Sequence, residues 1–148
     1  MELLQTFTSL LPPFHTGLES WALLTLRVIW GIVLLAYGLP MLKNPFHWMD
    51  MPKPSGFPGI LQLLGAVSVF GGGLAMISGF LTSLAAFGLA FSMGIALFIH
   101  ISNGKPFMKE RPDSPGQSYE TSLVYLAIAI MFIFVGPGRL SLDYLLFG

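Results

Sequence analysis

The stretch "LQLLGAVSVFGGGLAMISGFLTSLAA" at residues 61–86 is apolar almost throughout and carries no charged side chain. Small residues recur along it, and Gly65, Gly72 and Gly79 are spaced seven apart. In a bilayer, small residues let helices approach closely and gain van der Waals contact. The segment GFLTS at 79–83 has the length of a tight turn. The stretch therefore predicts two membrane helices joined by a short connection.

The composition of the whole chain is that of a membrane protein. Of its 148 residues, 54% are hydrophobic and 9% are charged, and the mean hydropathy is +0.76, whereas about a quarter of a soluble domain is charged. Seven basic residues balance seven acidic ones, so no net field attracts the chain to nucleic acid. Cysteine is absent, which excludes disulfides and thiolate metal sites. Any redox role must therefore use a bound cofactor or a partner protein.

A helix that spans the membrane needs about 20 mainly apolar residues, and the chain offers four such stretches. The predicted spans are residues 21–42, 60–78, 83–101 and 121–136. Long loops follow the first and third spans. We expect an all-α, integral membrane four-helix bundle that forms a single domain over residues 1–148.

Two short helices are predicted outside the spans. The N-terminal "MELLQTFTSLL" lacks the basic start of a signal peptide, and its apolar residues recur at helical spacing until Pro12. We expect a retained helix lying in the membrane interface. At the other end, "GPGRLSLDYLLFG" at 136–148 ends the last span at a Gly-Pro-Gly turn, and Ser141 is placed to cap a C-terminal interfacial helix.

The distribution of basic residues predicts an orientation. Five of the seven lie in or beside the two long loops, namely Lys43, Lys53, Lys105, Lys109 and Arg111. Cytoplasmic loops carry the excess of Lys and Arg. We expect the long loops in the cytoplasm and both termini outside, in a bacterial inner membrane.

Polar residues at membrane depth are the default functional candidates, because ionisable groups cost several kcal/mol in hydrocarbon. The candidates on the long-loop side are Lys43, Gln62, His100, Asn103 and Glu120, with Tyr37 one turn deeper. His100 is the best proton or hydrogen-bond donor, because imidazole titrates near neutral pH. The alternative is that Lys43 extends to the lipid headgroups and Glu120 only complements a helix dipole. If the four helix ends converge, these residues form a small polar pocket.

A second polar layer lies on the side of the termini and contains Arg27, Arg139 and Asp143. Arg27 lies about two turns inside the first span, where it needs a partner, and Asp143 offers a carboxylate. Guanidinium and carboxylate groups pair bidentately. The pair is either a clasp that fixes the C-terminal tail to the first helix or part of a site for an anionic or quinone-like headgroup.

Other patterns are less informative. Gly88, Ser92, Ala96 and His100 fall four apart on the third span, which directs His100 toward a helix interface. The three histidines, His15, His47 and His100, lack zinc spacing and differ in predicted depth, so we expect no metal site.

These segments together resemble the DoxX family of small four-helix membrane proteins. "LRVIWGIVLLAYGLPMLKN" at 26–44 resembles its first-helix signature, 61–86 its second helix and turn, and "HISNG" at 100–104 also fits. "GPGRLSLDYLL" at 136–146 is the most specific match. Two positions depart from the family pattern, since Gln62 replaces a usual glutamate and Ser83 a common basic residue.

The resemblance implies a redox setting, because some relatives resemble the quinone-linked subunit of thiosulfate oxidation and others are linked to oxidative-stress tolerance. We expect a membrane subunit of a respiratory or redox complex that binds a quinone headgroup near Lys43, Gln62, His100 and Glu120. Quinone is the one cofactor expected, in an apolar slot with one or two hydrogen-bond donors. The alternative is a non-catalytic membrane scaffold that docks a redox or stress-response partner. The expected partners are the lipid bilayer and either another protein or a second copy.

Overall fold

The computed structural model describes residues 5, 6, 9, 14–50, 55–113 and 117–148. Within these ranges the chain forms helices, turns and loops, without a strand. The helices are α1 (Leu18–Lys43), α2 (Gly59–Ser78), α3 (Thr82–Ser102), α4 (Glu120–Val135) and α5 (Leu142–Phe147). The expected all-α membrane bundle is confirmed. Most of the predicted N-terminal interfacial helix lies outside the described residues.

Three of the helices, α1, α2 and α3, are long and apolar enough to cross a membrane. The fourth, α4, has 16 residues, which at 1.5 Å per residue gives a length of about 24 Å, short of a hydrocarbon core of about 30 Å. It ends because Gly136 adopts a φ of 76° and Pro137 follows. The predicted C-terminal helix is present as α5, and Ser141 caps it by accepting a hydrogen bond from the Tyr144 N–H at 3.2 Å.

The turn between α2 and α3 consists of Gly79, Phe80 and Leu81. Gly79 ends α2 in the left-handed conformation, with a φ of 68°, and its N–H donates to the Ala75 carbonyl at 2.8 Å. Leu81 is also left-handed, with a φ of 47°, which costs a residue with a Cβ about 1–2 kcal/mol. Something beyond the turn must therefore hold Leu81 in place.

Close contact between α1 and α2 depends on glycine. A Cβ added at Gly73 would lie 2.9 Å from the Gly31 carbonyl oxygen, and one at Gly38 would lie 2.9 Å from the Cα of Phe70. No side chain larger than hydrogen fits between the two backbones at these points. The predicted seven-residue row contributes at Gly72, where an added Cβ would lie 2.8 Å from the Leu89 side chain of α3.

Gly88 on α3 differs from the expectation for its row, because an added Cβ would have no neighbour within 4 Å. The four-residue row of small residues is therefore not a packing face at that position. Spacing along a helix shows which residues share a face, but it does not show which face the bundle covers.

The core contains a fully buried large apolar side chain from each of the four long helices: Leu34, Met76, Leu89 and Phe132. Neighbouring helices pack in chain order, α1 on α2, α2 on α3 and α3 on α4. Helices α1 and α4 close the bundle through large aromatic rings. Trp30 stacks on Phe132 with ring centroids 6.0 Å apart.

The glycine contact gives a first prediction. Gly73→Ala should lower the free energy of unfolding by about 1–3 kcal/mol, because a methyl group would force α1 and α2 apart. The matched control is Gly71→Ala on the same helix, where an added Cβ meets nothing within 4 Å. Thermal unfolding in detergent, followed by circular dichroism, measures both variants. Equal melting temperatures for the two would contradict the glycine contact.

Candidate functional site

The C-terminal tail is fixed to the turn between α2 and α3 by Asp143. Its carboxylate accepts hydrogen bonds from the N–H groups of Leu81 at 2.6 Å and Thr82 at 2.8 Å. Its own N–H donates to the Gly79 carbonyl at 2.9 Å. Leu81 has no side-chain acceptor with which to cap α3, so Asp143 caps that helix from the far end of the chain. These bonds also hold Leu81 in its strained conformation.

Arg27 lies beneath this contact with its side chain fully buried. Its Nη2 donates to the Leu140 carbonyl at the start of the tail. Its Nε and Nη1 have no hydrogen-bond partner among the described residues. Nη1 lies so close to Gly79 that a Cβ there would be 1.8 Å away. Gly79 is therefore required twice, for its positive φ and for the space that Arg27 occupies.

The direct bidentate pair that we expected between Arg27 and Asp143 is not what the structure shows. The two described side chains are not within ion-pair distance, and each bonds instead to backbone groups. Asp143 nevertheless supplies the negative charge that attracts the buried guanidinium. The clasp is thus built from tail, turn and α1 together, with charge attraction acting across it.

The third residue of this layer, Arg139, lies on the surface. Its N–H donates to the His15 carbonyl at 3.2 Å, which ties the tail to the segment before α1. Its guanidinium lies over the Tyr144 ring, 5.2 Å from the centroid, in a cation–π contact. Arg139 therefore supports the tail from outside and does not join Arg27 in the interior.

The clasp gives a second prediction. Asp143→Ala should lower the free energy of unfolding by about 2–5 kcal/mol, because two N–H groups and a buried cation lose their partner. Adding Arg27→Met should restore only part of this loss, since the N–H groups of Leu81 and Thr82 still lack an acceptor. Asp113→Ala, in an exposed loop, is the control. Full recovery in the double variant, measured by thermal unfolding, would mean that Asp143 serves only to neutralise Arg27.

At the opposite end of the bundle, Gln62 organises the loop between α1 and α2. The side chain is 1% exposed, and its Oε1 accepts from the Met49 N–H at 3.0 Å. Its Nε2 donates to Asp50 Oδ1 at 3.3 Å and to the Phe57 carbonyl at 3.2 Å. The Trp48 indole donates to the Gln62 carbonyl at 2.7 Å. The amide is thus engaged by the loop, and the structure does not bring it together with His100.

Asp50 is the charged member of this loop cluster. The side chain and the backbone N–H of Ser55 both donate to it, with a further contribution from Gln62, and these bonds lower the pKa of Asp50. A lowered pKa means that the carboxylate stabilises the loop above the pKa of the unfolded chain. That contribution is lost as the pH falls through the folded pKa.

A third prediction concerns Gln62 and its bond to Asp50. Gln62→Glu should lower the melting temperature at pH 8, because a second carboxylate cannot donate to Asp50 and is repelled by it. The deficit should shrink at pH 5, since repulsion raises the pKa of one carboxyl and protonation restores a donor. Gln117→Glu, in an exposed loop, is the control. A deficit independent of pH would contradict this account.

His100 lies at the end of α3 and faces α4. Its Nδ1 is 3.5 Å from the Oγ of Ser122, which is 6% exposed. This distance is at the outer limit of a hydrogen bond, so the imidazole retains capacity for another partner. One turn along α4, Tyr125 meets Tyr37 of α1 edge to face, with centroids 6.5 Å apart. We call these four residues, His100, Ser122, Tyr125 and Tyr37, the polar row.

The structure separates the remaining residues of the predicted loop-side layer. Lys43 is the exposed last residue of α1, and Asn103, exposed, follows α3. Glu120 begins α4, half-buried, and its N–H donates to the Phe107 carbonyl at 3.2 Å. No ion pair joins Glu120 to Lys43 or His100, all of which are described residues. Among the residues predicted to form the polar pocket, His100 and Tyr37 belong to the polar row and the others do not.

Two members of the polar row, Ser122 and Tyr125, were absent from our sequence candidates. A signal for both was present, since Ser122 and Tyr125 are three residues apart and therefore share a face near the start of α4.

Comparison with known proteins adds the family. The model of the DoxX family matches residues 22–101 of the chain. The inner membrane protein YqjF of Escherichia coli (strain K12) is 30% identical over 135 residues, which cover 87% of this chain and 95% of the relative. The chain belongs to the DoxX family. No solved structure matches this DoxX protein.

Membership confirms the family inferred from the sequence motifs. The DoxX match runs from α1 almost to the end of α3, so it includes Arg27, Tyr37, Gln62 and His100. Helix α4 and the tail lie beyond it. This DoxX protein is an integral membrane protein, and its apolar helices contact the lipid bilayer.

Proposed function

We propose that this protein is a membrane subunit of a respiratory or redox complex and binds a quinone headgroup at the polar row. The supporting observation is the pairing of His100 with Ser122 at 3.5 Å, beside the ring pair of Tyr37 and Tyr125. Three helices, α1, α3 and α4, thus bring hydrogen-bonding groups and aromatic rings together along the polar row. We call the contact region between these helices at the polar row the seam. A quinone needs both, because its ring is apolar and its two carbonyl oxygens accept hydrogen bonds.

Within this proposal His100 has the main polar role. Its imidazole donates a hydrogen bond to one carbonyl oxygen of the quinone and can pass a proton to that oxygen on reduction. Ser122 orients the imidazole through Nδ1. Electrons come from a separate protein, since the chain has no cysteine to hold a metal cluster or a redox-active disulfide. YqjF is named as an inner membrane protein, and we place this chain in the same membrane.

The roles of the other predicted site residues follow from their positions. Lys43 and Glu120 lie at the loop-side end of the seam. There they set the local charge and do not contact the quinone ring. Gln62 supports the loop that covers the ends of α1 and α2. With both termini outside, the loop-side end of the seam would lie on the cytoplasmic side of the membrane.

The fourth prediction tests binding directly. His100→Ala should weaken the binding of 1,4-naphthoquinone to the detergent-purified protein about three- to tenfold, because one hydrogen bond to the ligand is lost. His47→Ala is the matched control, since His47 lies exposed in the loop between α1 and α2. Equilibrium dialysis measures the dissociation constants, and mass spectrometry identifies any quinone that co-purifies. Wild-type protein that binds no quinone saturably would contradict the proposal.

A scaffold role has one observation in its favour. In the loop between α3 and α4, Phe107 and Met108 are 49% and 59% exposed and lie between Lys105 and Lys109. Exposed apolar side chains flanked by charge are common where proteins dock. If Phe107→Ser with Met108→Ser removes a co-purifying protein while His100→Ala leaves cell growth unchanged, the scaffold role replaces the quinone site.

A further inference from the structure

The three tryptophans of the chain differ in how their indole N–H groups are satisfied. Trp48 donates to the Gln62 carbonyl at 2.7 Å. Trp21 is 62% exposed on the outer face of α1. Trp30 is 3% exposed, and its Nε1 has no hydrogen-bond partner among the described residues. Among these three, Trp30 alone combines burial with an unused donor.

A buried donor without an acceptor is costly. Leaving an N–H unpaired in the interior costs about 1–3 kcal/mol, and a bundle surrounded by hydrocarbon offers no bulk water as a substitute. Phenylalanine would fill the same stack on Phe132 without that cost. The indole nitrogen is thus unexplained by packing alone.

The position of Trp30 connects this donor to the polar row. Its ring meets Tyr125 at 6.1 Å, in an edge-to-face arrangement, and Tyr125 in turn meets Tyr37. Tyr37 is 54% exposed, so the row reaches the lipid-facing surface between α1 and α4. His100 lies on the loop side of Tyr125 and Trp30 on the deeper side, because Ser122 precedes Tyr125 on α4 by about one turn and Phe132 follows it by about two.

We propose that Trp30 is a second hydrogen-bond donor to the ligand and binds the deeper carbonyl oxygen of a planar ring that enters between Tyr37 and Tyr125. This inference rests on the proposed function and specifies its ligand class: a conjugated ring with carbonyl oxygens on opposite edges, one held by His100 and the other by Trp30. Entry requires the Tyr125 ring to turn aside, since it covers the indole. The stack of Trp30 on Phe132 remains and supplies one apolar wall.

The test compares two ligands and two variants. Trp30→Phe keeps the stacked ring and removes the donor, and Trp21→Phe is the matched control on the same helix. We expect Trp30→Phe to raise the dissociation constant of 1,4-naphthoquinone about three- to tenfold. Naphthalene has the same fused rings without the oxygens, and its affinity should not differ between Trp30→Phe and wild type. Trp21→Phe should bind both ligands as wild type does.

A second measurement uses the wild-type protein, so that it does not depend on the folding of a variant. The indole resonance of Trp30 in ¹⁵N-labelled protein should move downfield on titration with 1,4-naphthoquinone and should not move with naphthalene. If quinone binds, His100→Ala weakens it, and neither the Trp30→Phe affinity nor this resonance changes, the N–H is satisfied by the Tyr125 ring and this inference fails alone. If the wild-type protein binds no quinone, the proposed function fails with it.

Discussion

The positive charge of Arg27 lies inside an apolar bundle and has to be stabilised there. The C-terminal tail and the turn between α2 and α3, at what we call the terminal end of the bundle, are arranged around it. A fully buried guanidinium without partners would cost several kcal/mol. The Leu140 carbonyl accepts a hydrogen bond from the Arg27 Nη2, and Asp143 supplies the opposing charge. Both belong to the tail, which must therefore fold back across the bundle. Because Asp143 also caps α3, the residue that supplies the charge opposing Arg27 also fixes the start of a spanning helix.

Helix α1 packs against α2 and against α4 in two different ways, and only one of them leaves side chains that can move. Against α2, glycines bring the backbones into contact, and nothing else fits between them. Against α4, the contact is made through aromatic rings, with Trp30 and Tyr37 of α1 both meeting Tyr125 edge to face. A glycine contact has no room for a ligand, whereas side chains at an aromatic seam can turn. The rigid α1–α2 contact thus gives the seam a fixed wall.

Much of the fold was predictable because hydrophobicity alone determines which segments of an apolar chain can span a membrane. The depth of Arg27 indicated that it needed a partner on the tail. The actual bonding was not predictable, since Asp143 accepts from backbone N–H groups that every sequence contains. The same limit applies to Gln62, whose amide bonds to loop backbone, and to Gly88, where an added Cβ would meet no neighbour within 4 Å. Periodicity identifies a face, but only the assembled bundle shows what that face meets.

The polar groups at the two ends of the bundle also differ in what they leave available. At the terminal end, carboxylate and turn are joined by short, well-directed bonds, so displacing either would break the cap of α3. Along the seam, the imidazole contact is at the limit of bonding distance, and the buried indole has no acceptor among the residues that the structure describes. A ligand that binds by hydrogen bonds gains most where donors are not already engaged, because it displaces no existing bond. Arg27 also has donors without a partner among the described residues, Nε and Nη1, but they lie beneath the bonds that cap α3. The seam instead reaches the lipid-facing surface at Tyr37, which is 54% exposed. This difference in access favours the seam as the site where a ring with two carbonyl oxygens would bind.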